Sequence, residues 1–298
     1  MTESMSTSKF NLNNGTKMPA IGLGTFRIRN ETILYTVVEE ALAAGYRLFD
    51  TATVYHNEGA LGKVLQQLLP KYGLEREDIF ITTKLAPSDM GRRIKVEQAY
   101  ETSINNLGIE YADLYLIHFP GAQRLPSSDK RNADIRHASW EAMVQLYDEG
   151  RVSAIGVSNF TLQHLKDLME CNQGVVPTVN QVEWHPFYFQ PDLQAYCTAN
   201  DIVLQAYSSF GGLSVDNVDL LTNHSVTKIA RRLGVTNAQV LLRWALQGDV
   251  AVIPKAIHPD HIKANIDLNF KIPNEDMKEL DSLSLYNTKY AWDPNPVA

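Results

Sequence analysis

At 298 residues the chain can hold two ordinary domains or one large single-core architecture. With 44% hydrophobic and 20% charged residues, and neither Gly nor Pro in excess, its composition is that of a globular protein. The net charge of −7 excludes a general nucleic-acid binder, and the two cysteines, Cys171 and Cys197, form neither a disulfide framework nor a metal-ligand spacing.

Residues 10–20 read as a small hairpin, with Asn14-Gly15 supplying the positive φ angles of a two-residue turn. An alternation of short apolar runs and helical stripes then sets in. Residues 20–24 form a strand, followed by a helix over Glu31–Ala44. In that helix Ile33, Leu34, Val37, Val38, Ala41 and Leu42 recur at helical spacing. Residues 46–50 are strand again, and 58–69 a helix that Pro70 stops. The pattern repeats with strands at 79–84, 114–118, 154–157, 178–182, 203–206 and 250–253. Their helices lie at 94–107, 140–149, 162–170, 191–200, in segments up to Gln247, and over Pro259–Ile266. Thr161 is placed as an N-cap, Thr236 with Gln239 forms a capping box, and Pro259 suits a first helical turn. The charge-rich stretch 127–136 reads as a solvated loop bordering the substrate side.

Strands that are uninterrupted apolar runs belong to a parallel sheet covered on both faces. No linker splits the eight units, and no G-x-G-x-x-G follows the first strand, which disfavours a doubly wound dinucleotide-binding sheet. The expectation is an α/β fold, a (β/α)8 TIM barrel, which needs about 250 residues. One domain then spans residues 1–298, with 1–8 disordered, a hairpin at 9–20 and a C-terminal helix plus tail at 273–298. The N-terminus has no apolar leader core and no run of about 18 apolar residues occurs, so a cytoplasmic protein without a membrane span is expected. Nothing in the sequence demands more than a monomer.

In such barrels the active site lies at the C-terminal ends of the strands. Asp50 closes the second barrel strand and Tyr55 stands in its loop, while Lys84 closes the third and His118 the fourth. Each alone has a bland reading, as packing tyrosine, solvated lysine or structural histidine. Four titratable side chains on three consecutive strand ends point instead to one task. A phenol is a weak donor near neutrality; an adjacent ammonium lowers its pKa, and Asp50 keeps that ammonium charged and oriented. His118 can then orient a carbonyl oxygen toward the phenol, so that the set protonates an oxygen while another species attacks the carbon.

The pieces MPAIGLGTF, DTATVYHNE, TTKL, DLYLIHFP, AIGVSNF, VNQVEWHP, AYSSFG and VIPKA occur in this order. Together they resemble the aldo-keto reductase family from about residue 18 to 294. The resemblance implies Tyr55 as general acid, Lys84 and Asp50 as its tuning pair, His118 as the carbonyl-orienting group, and NADPH as hydride donor. It further implies that Ser158, Asn159 and Gln181 hold the nicotinamide carboxamide and that Tyr207 stacks on its ring. The loop from Ser208 through Phe210 and Gly211 would meet the pyrophosphate, although Gly-Gly alone more often marks a simple turn. Gly24, Thr25 and Ile253 are implied as further cofactor contacts, and Lys255 would meet the 2′-phosphate.

This chain departs from the family pattern near that phosphate. Ala256 and His261 stand where a hydroxyl and an Arg are common, and Ala264 where an acidic residue is common, whereas Asn265 is retained. Arg offers bidentate contacts that His cannot, so NADPH is the expected cofactor with NADH as its alternative. In the substrate pocket, Phe26, Ala86 and Phe119 replace frequent tryptophans, and the tail after Leu285 is short. An open apolar pocket accepting a small-molecule carbonyl substrate is expected. Trp184 reads as rim packing, and His137, His164, His185, His224 and His258 receive no role. Two rival readings are a non-catalytic cofactor-binding relative and a Schiff-base lyase using Lys84. The intact acid–base set opposes the first. Asp50 keeping the lysine protonated opposes the second.

Overall fold

The computed structural model describes residues 7–212 and 219–298, so most of the expectation for 1–8 lies outside the described residues. A two-stranded hairpin, β1 (Lys9–Asn11) and β2 (Lys17–Pro19), opens the chain. Eight parallel strands follow: β3 (Leu23–Gly24), β4 (Leu48–Asp50), β5 (Phe80–Leu85), β6 (Leu114–Ile117), β7 (Ile155–Ser158), β8 (Val179–Glu183), β9 (Val203–Tyr207) and β10 (Ala251–Val252). They pair in sequence order, and the ends of the row meet. Ile21 bridges Val252 in parallel, Gly22 N–H donates to the Val252 carbonyl at 2.8 Å, and Val252 N–H donates to Ala20 at 2.9 Å. The sheet is therefore a closed barrel, which removes its edges.

Helices α1 (Glu31–Ala44), α2 (Glu58–Lys71), α3 (Arg93–Leu107), α4 (Arg131–Asp148), α5 (Leu162–Met169) and α6 (Pro191–Ala199) connect successive strands up to β9. A helix pair, α7 (His224–Leu233) and α8 (Asn237–Gln247), leads to β10; α9 (Pro259–Ile266) and α10 (Asn274–Ser282) follow it. Between helices and sheet lies the larger apolar layer, including Leu34, Val37, Ala41, Tyr115 and Trp140. A second core fills the barrel itself, with Leu48, Phe80, Leu114, Leu116, Val179 and Ala251 closed at one end by Leu12 and Met18 of the hairpin. Hydrogen bonds from Asn13 to the Pro177 carbonyl and from Asn14 to the Ser153 carbonyl fix that plug. The opposite end is left open for chemistry.

Local rules explain most boundaries. Asn30 caps α1 by accepting from Ile33 N–H, and Gly45 ends it in a left-handed conformation at φ 99°. Thr161 and Thr236 both form capping boxes, and Pro259 begins α9. Four expectations need correction. The hairpin turn has three residues, 13–15, because Gly15 N–H returns to Leu12 and only Gly15 takes a positive φ, of 88°; this is a turn plus bulge. Ile33 is 46% exposed, one position beyond the buried stripe. Pro70 lies inside α2, in its last turn, where it forfeits a single helical hydrogen bond. Residues 131–136 are the first turns of α4 rather than a loop, with Asn132 and Arg136 buried.

Candidate active site

The open end of the barrel gathers polar groups that the parallel ladder places side by side. Asp50 ends β4, and its neighbour in register is Thr82, two residues before Lys84 on β5. Both charged groups point into the barrel mouth and are almost wholly buried, Asp50 at 1% and Lys84 at 0% exposure. Lys84 Nζ donates to Asp50 Oδ1 at 2.7 Å and Oδ2 at 2.8 Å, to the Thr51 carbonyl at 2.8 Å, and to Tyr55 Oη at 3.3 Å. Tyr55 reaches that position because a short 3-10 turn, Thr53–Tyr55, follows the strand. His56 then leaves the turn at a positive φ of 56°. His118 follows β6, its ring T-shaped to Tyr55 with centroids 5.7 Å apart.

The electrostatics correct one expectation. The Tyr55 pKa is not lowered by Lys84; burial first, then the charge of Asp50 and the neighbouring Tyr207, push it well above the ordinary phenol value. Tyr55 is therefore a neutral phenol through the physiological range. A lysine ammonium can only donate, so Lys84 occupies a lone pair on the phenol oxygen and leaves the O–H free for another acceptor. Burial also lowers the Lys84 pKa, opposed by Asp50. For His118, burial and the charge of Lys84 hold the pKa well below the ordinary histidine value. Its imidazole is neutral, with one nitrogen a donor, and its buried Nδ1 has no hydrogen-bond partner among the described residues.

The amide-bearing residues form a second set around this one. Gln181 Nε2 donates to Asp50 Oδ2 and to Gln205 Oε1, both at 2.8 Å. Tyr207 Oη donates to Asn159 Oδ1 at 2.5 Å, while Asn159 Nδ2 donates to the His118 carbonyl at 2.9 Å and to Ser158 Oγ at 3.1 Å. Asn159 holds a positive φ of 63°, which an amide side chain tolerates better than most. Thr25 Oγ1 donates to the Asp50 carbonyl at 2.8 Å, and Phe26 packs on Tyr55 with ring centroids 5.0 Å apart. Eleven predicted residues, Thr25, Phe26, Asp50, Tyr55, Lys84, His118, Ser158, Asn159, Gln181, Tyr207 and Gly24 beside them, thus meet at one mouth.

The remaining predictions are more scattered. Ser208, Phe210 and Gly211 continue from β9, and the Ser209 hydroxyl between them is buried without a partner among the described residues. Gly24 lies so close to the next strand that a Cβ would stand 2.7 Å from the Ile253 carbonyl. Lys255 is exposed after β10, its pKa lowered by partial burial and by the charge of Arg27. Ala256 and Asn265 are buried, whereas His261 is exposed, its ring tilted against that of His258 with centroids 5.3 Å apart. Ala86 and Phe119 follow β5 and β6, and among the described residues neither shares a hydrogen bond or ring contact with Tyr55. Trp184 packs on Trp244 and Phe189, as rim packing should.

Three contributors escaped the sequence reading. Asn57, 1% exposed, ties Thr51 to the Thr25 and Ile28 carbonyls and so fixes the Tyr55 turn. Gln205 holds Gln181; the period-two alternation with Tyr207 on β9 could have found it. Trp292 packs edge-on against Phe26 with centroids 5.7 Å apart. The tail therefore reaches the site, and the pocket is narrower than its length implied.

Residues 20–285 match the model of the Aldo/keto reductase family. The chain belongs to that family. Glyoxal reductase of Bacillus subtilis is 37% identical over 286 residues, covering 96% of this chain and 95% of that protein. Morphine 6-dehydrogenase of Pseudomonas putida is 39% identical over 282 residues, covering 92% and 90%. The crystal structure of an aldo-keto reductase from a deep-sea metagenome library superposes with a TM-score of 0.86 at 39% identity, covering 97% of this chain and 99% of that one. Aldo/keto reductases are oxidoreductases that use NAD(P)H. Among the described residues no helix is long and apolar enough to cross a membrane, and no cluster of potential metal ligands occurs.

Proposed function

We propose that the protein reduces aldehydes and ketones to alcohols with NADPH, NADH serving less well. The observation that carries this reading is Lys84 donating at once to Asp50 and to Tyr55, with neutral His118 facing the same phenol. The residues fit a dinucleotide. The Ser209 hydroxyl, buried without a partner among the described residues, offers a donor for phosphate, and the polar set of Ser158, Asn159 and Gln181 matches a carboxamide. Tyr207, held by Asn159, offers a ring face, and Gly211, Ala256, Lys255, His261 and Asn265 would line the rest of the cofactor path.

When bound, the nicotinamide supplies a hydride to the carbonyl carbon. Tyr55 donates its proton to the carbonyl oxygen as charge develops there, which is general acid catalysis. Lys84 holds the phenol oxygen in place and limits the charge left on it. Asp50, pinned by Lys84 and Gln181, fixes the ammonium. His118 donates from its neutral ring to the same carbonyl oxygen and orients it. Phe26, Ala86 and Phe119 line the apolar side.

The test follows cofactor absorbance with NADPH or NADH and a panel of aldehydes and ketones, for wild type and Tyr55→Phe. Turnover in the wild type and loss of at least about a hundredfold in the variant, with unchanged cofactor affinity, is expected for a lost general acid. Cofactor binding without wild-type turnover would sink the catalytic reading in favour of a binding relative. A borohydride-trapped substrate adduct on Lys84 would assign the site to Schiff-base chemistry.

A further inference from the structure

We infer that residues 288–298 form a strap fixed at two points across the barrel mouth, and that Glu183 is the positioning residue that sets selectivity for aromatic carbonyl compounds by holding Trp292 on Phe26. The inference rests on the carbonyl-reductase reading and adds a residue to it.

Glu183 ends β8 two residues beyond Gln181, so the two side chains share the inner face of the strand. Its carboxylate is 1% exposed and fully engaged. Lys289 Nζ donates to Oε2 at 2.5 Å, Tyr290 N–H to Oε1 at 2.6 Å, Ala291 N–H to Oε2 at 3.0 Å, and His185 Nε2 lies 3.0 Å from Oε1. Three of these four partners of the buried carboxylate belong to the tail, and the fourth, His185, follows β8. Charge-assisted bonds to consecutive backbone amides are among the stronger kinds.

The second anchor lies at the other end. Arg136 Nη1 donates to the Ala298 main-chain oxygen at 2.6 Å, the His164 ring lies 2.9 Å from the Val297 carbonyl, and Ala298 N–H donates to Ser127 at 2.8 Å. Val297 is buried near Gly121, on the loop after His118. Between the anchors Trp292 meets Phe26, which in turn packs on Tyr55. Phe26 is thus an aromatic layer sandwiched between the proton donor and the strap. The same segment reaches the β9 loop, where Tyr290 Oη donates to Asp219 at 2.8 Å.

An aromatic wall over the proton donor favours flat aromatic substrates through offset or edge contacts between rings. Freeing the strap removes that wall while leaving the hydrogen bonds among Tyr55, Lys84 and Asp50 in place. The loss therefore falls on KM for an aromatic aldehyde and spares kcat.

The experiment compares 4-nitrobenzaldehyde with propanal for wild type, Glu183→Gln, Trp292→Ala and the double variant. Limited trypsin digestion, scored for cleavage after Lys289, runs beside it. Expected for Glu183→Gln is a fivefold or greater rise in KM for 4-nitrobenzaldehyde, a change under twofold for propanal, unchanged kcat, and faster cleavage after Lys289. Trp292→Ala should show the same KM pattern, and the double variant should be no worse than Trp292→Ala, as for residues acting through one contact. Lys289→Met, which removes a single partner of Glu183, gives a milder version if Glu183→Gln folds poorly, and it is read by the KM ratio alone because the variant lacks the cleavage site. A KM ratio unchanged within twofold, or additive losses in the double variant, overturns the inference. Trypsin resistance equal to wild type overturns the anchor itself. A wild type inactive on both aldehydes overturns the reductase reading, while the digestion still reports on the strap.

Discussion

The ammonium of Lys84 carries two duties, and they respond differently to substitution. It neutralises a carboxylate that is 1% exposed and it donates to Tyr55. Lys84→Met leaves Asp50 with only the amide of Gln181 among its side-chain donors, and an uncompensated buried charge costs about 3–5 kcal/mol. Lower stability by denaturant titration is expected together with loss of turnover, whereas Tyr55→Phe should lose turnover while staying close to wild-type stability. The protonation states give a second outcome. The Tyr55 pKa lies well above 10.0 and that of His118 well below 6.5, both driven first by burial. Neither group changes charge between those limits, so kcat for reduction at saturating cofactor is expected to be flat from pH 7 to 9. A fall in kcat centred near pH 8 would contradict these assignments. The four residues of this cluster were readable in one dimension because parallel strands end at a common mouth. Trp292 was not, because its place depends on Glu183 more than a hundred residues away, and sequence spacing carries no trace of that contact.

Elements were most legible where local chemistry alone decides them. Helix α1 and α9 agree with the sequence reading residue for residue, since Asn30 and Pro259 mark their starts. Helix α4 begins nine residues before the predicted 140, because its first turns carry Asn132 and Arg136 as buried polar anchors rather than an apolar stripe. Hydrophobic periodicity cannot see a helix face buried through hydrogen bonds. One contact between elements makes a direct prediction. A Cβ on Gly62 of α2 would stand 2.0 Å from the Leu107 carbonyl at the end of α3. Backbone cannot rotate away as a side chain can, so the two helices would have to separate. Gly62→Ala is expected to destabilise by about 1–3 kcal/mol, the usual cost of overpacking, despite alanine's better helix propensity. Thr236→Ala, which removes the α8 capping box, should cost about 1 kcal/mol. Thermal or denaturant unfolding of both variants measures the difference, and a stabilised Gly62→Ala would show that the α2–α3 approach is looser than described.

At the scale of the whole molecule, acid acts on the two buried histidines and on Glu183 in separate windows. His118 and His164 both have pKa values lowered by burial from 6.5. The folded state therefore binds fewer protons than the unfolded chain as pH drops, and stability is full above 6.5 and declines below it. Glu183 behaves differently. Burial opposes its ionisation, but His185, Lys289 and the backbone amide of Tyr290 outweigh it and bring the pKa from 4.5 to about 2. A depressed carboxyl contributes stability that is complete above the unfolded value of 4.5 and lost as pH falls through about 2. The shift corresponds to about 3 kcal/mol. Lowering the pH from 7 to 5 should thus lower the Tm through the two histidines, with His164→Asn flattening the slope. Over the same range the Glu183 anchor stays in place. Hydrogen exchange reads it directly, because the Tyr290 and Ala291 amides donate to Glu183. Their protection relative to intrinsic rates should persist at pH 4 in wild type and vanish in Glu183→Gln at any pH. Protection lost between pH 7 and 5 in the wild type would overturn Glu183 as the group that holds the anchor.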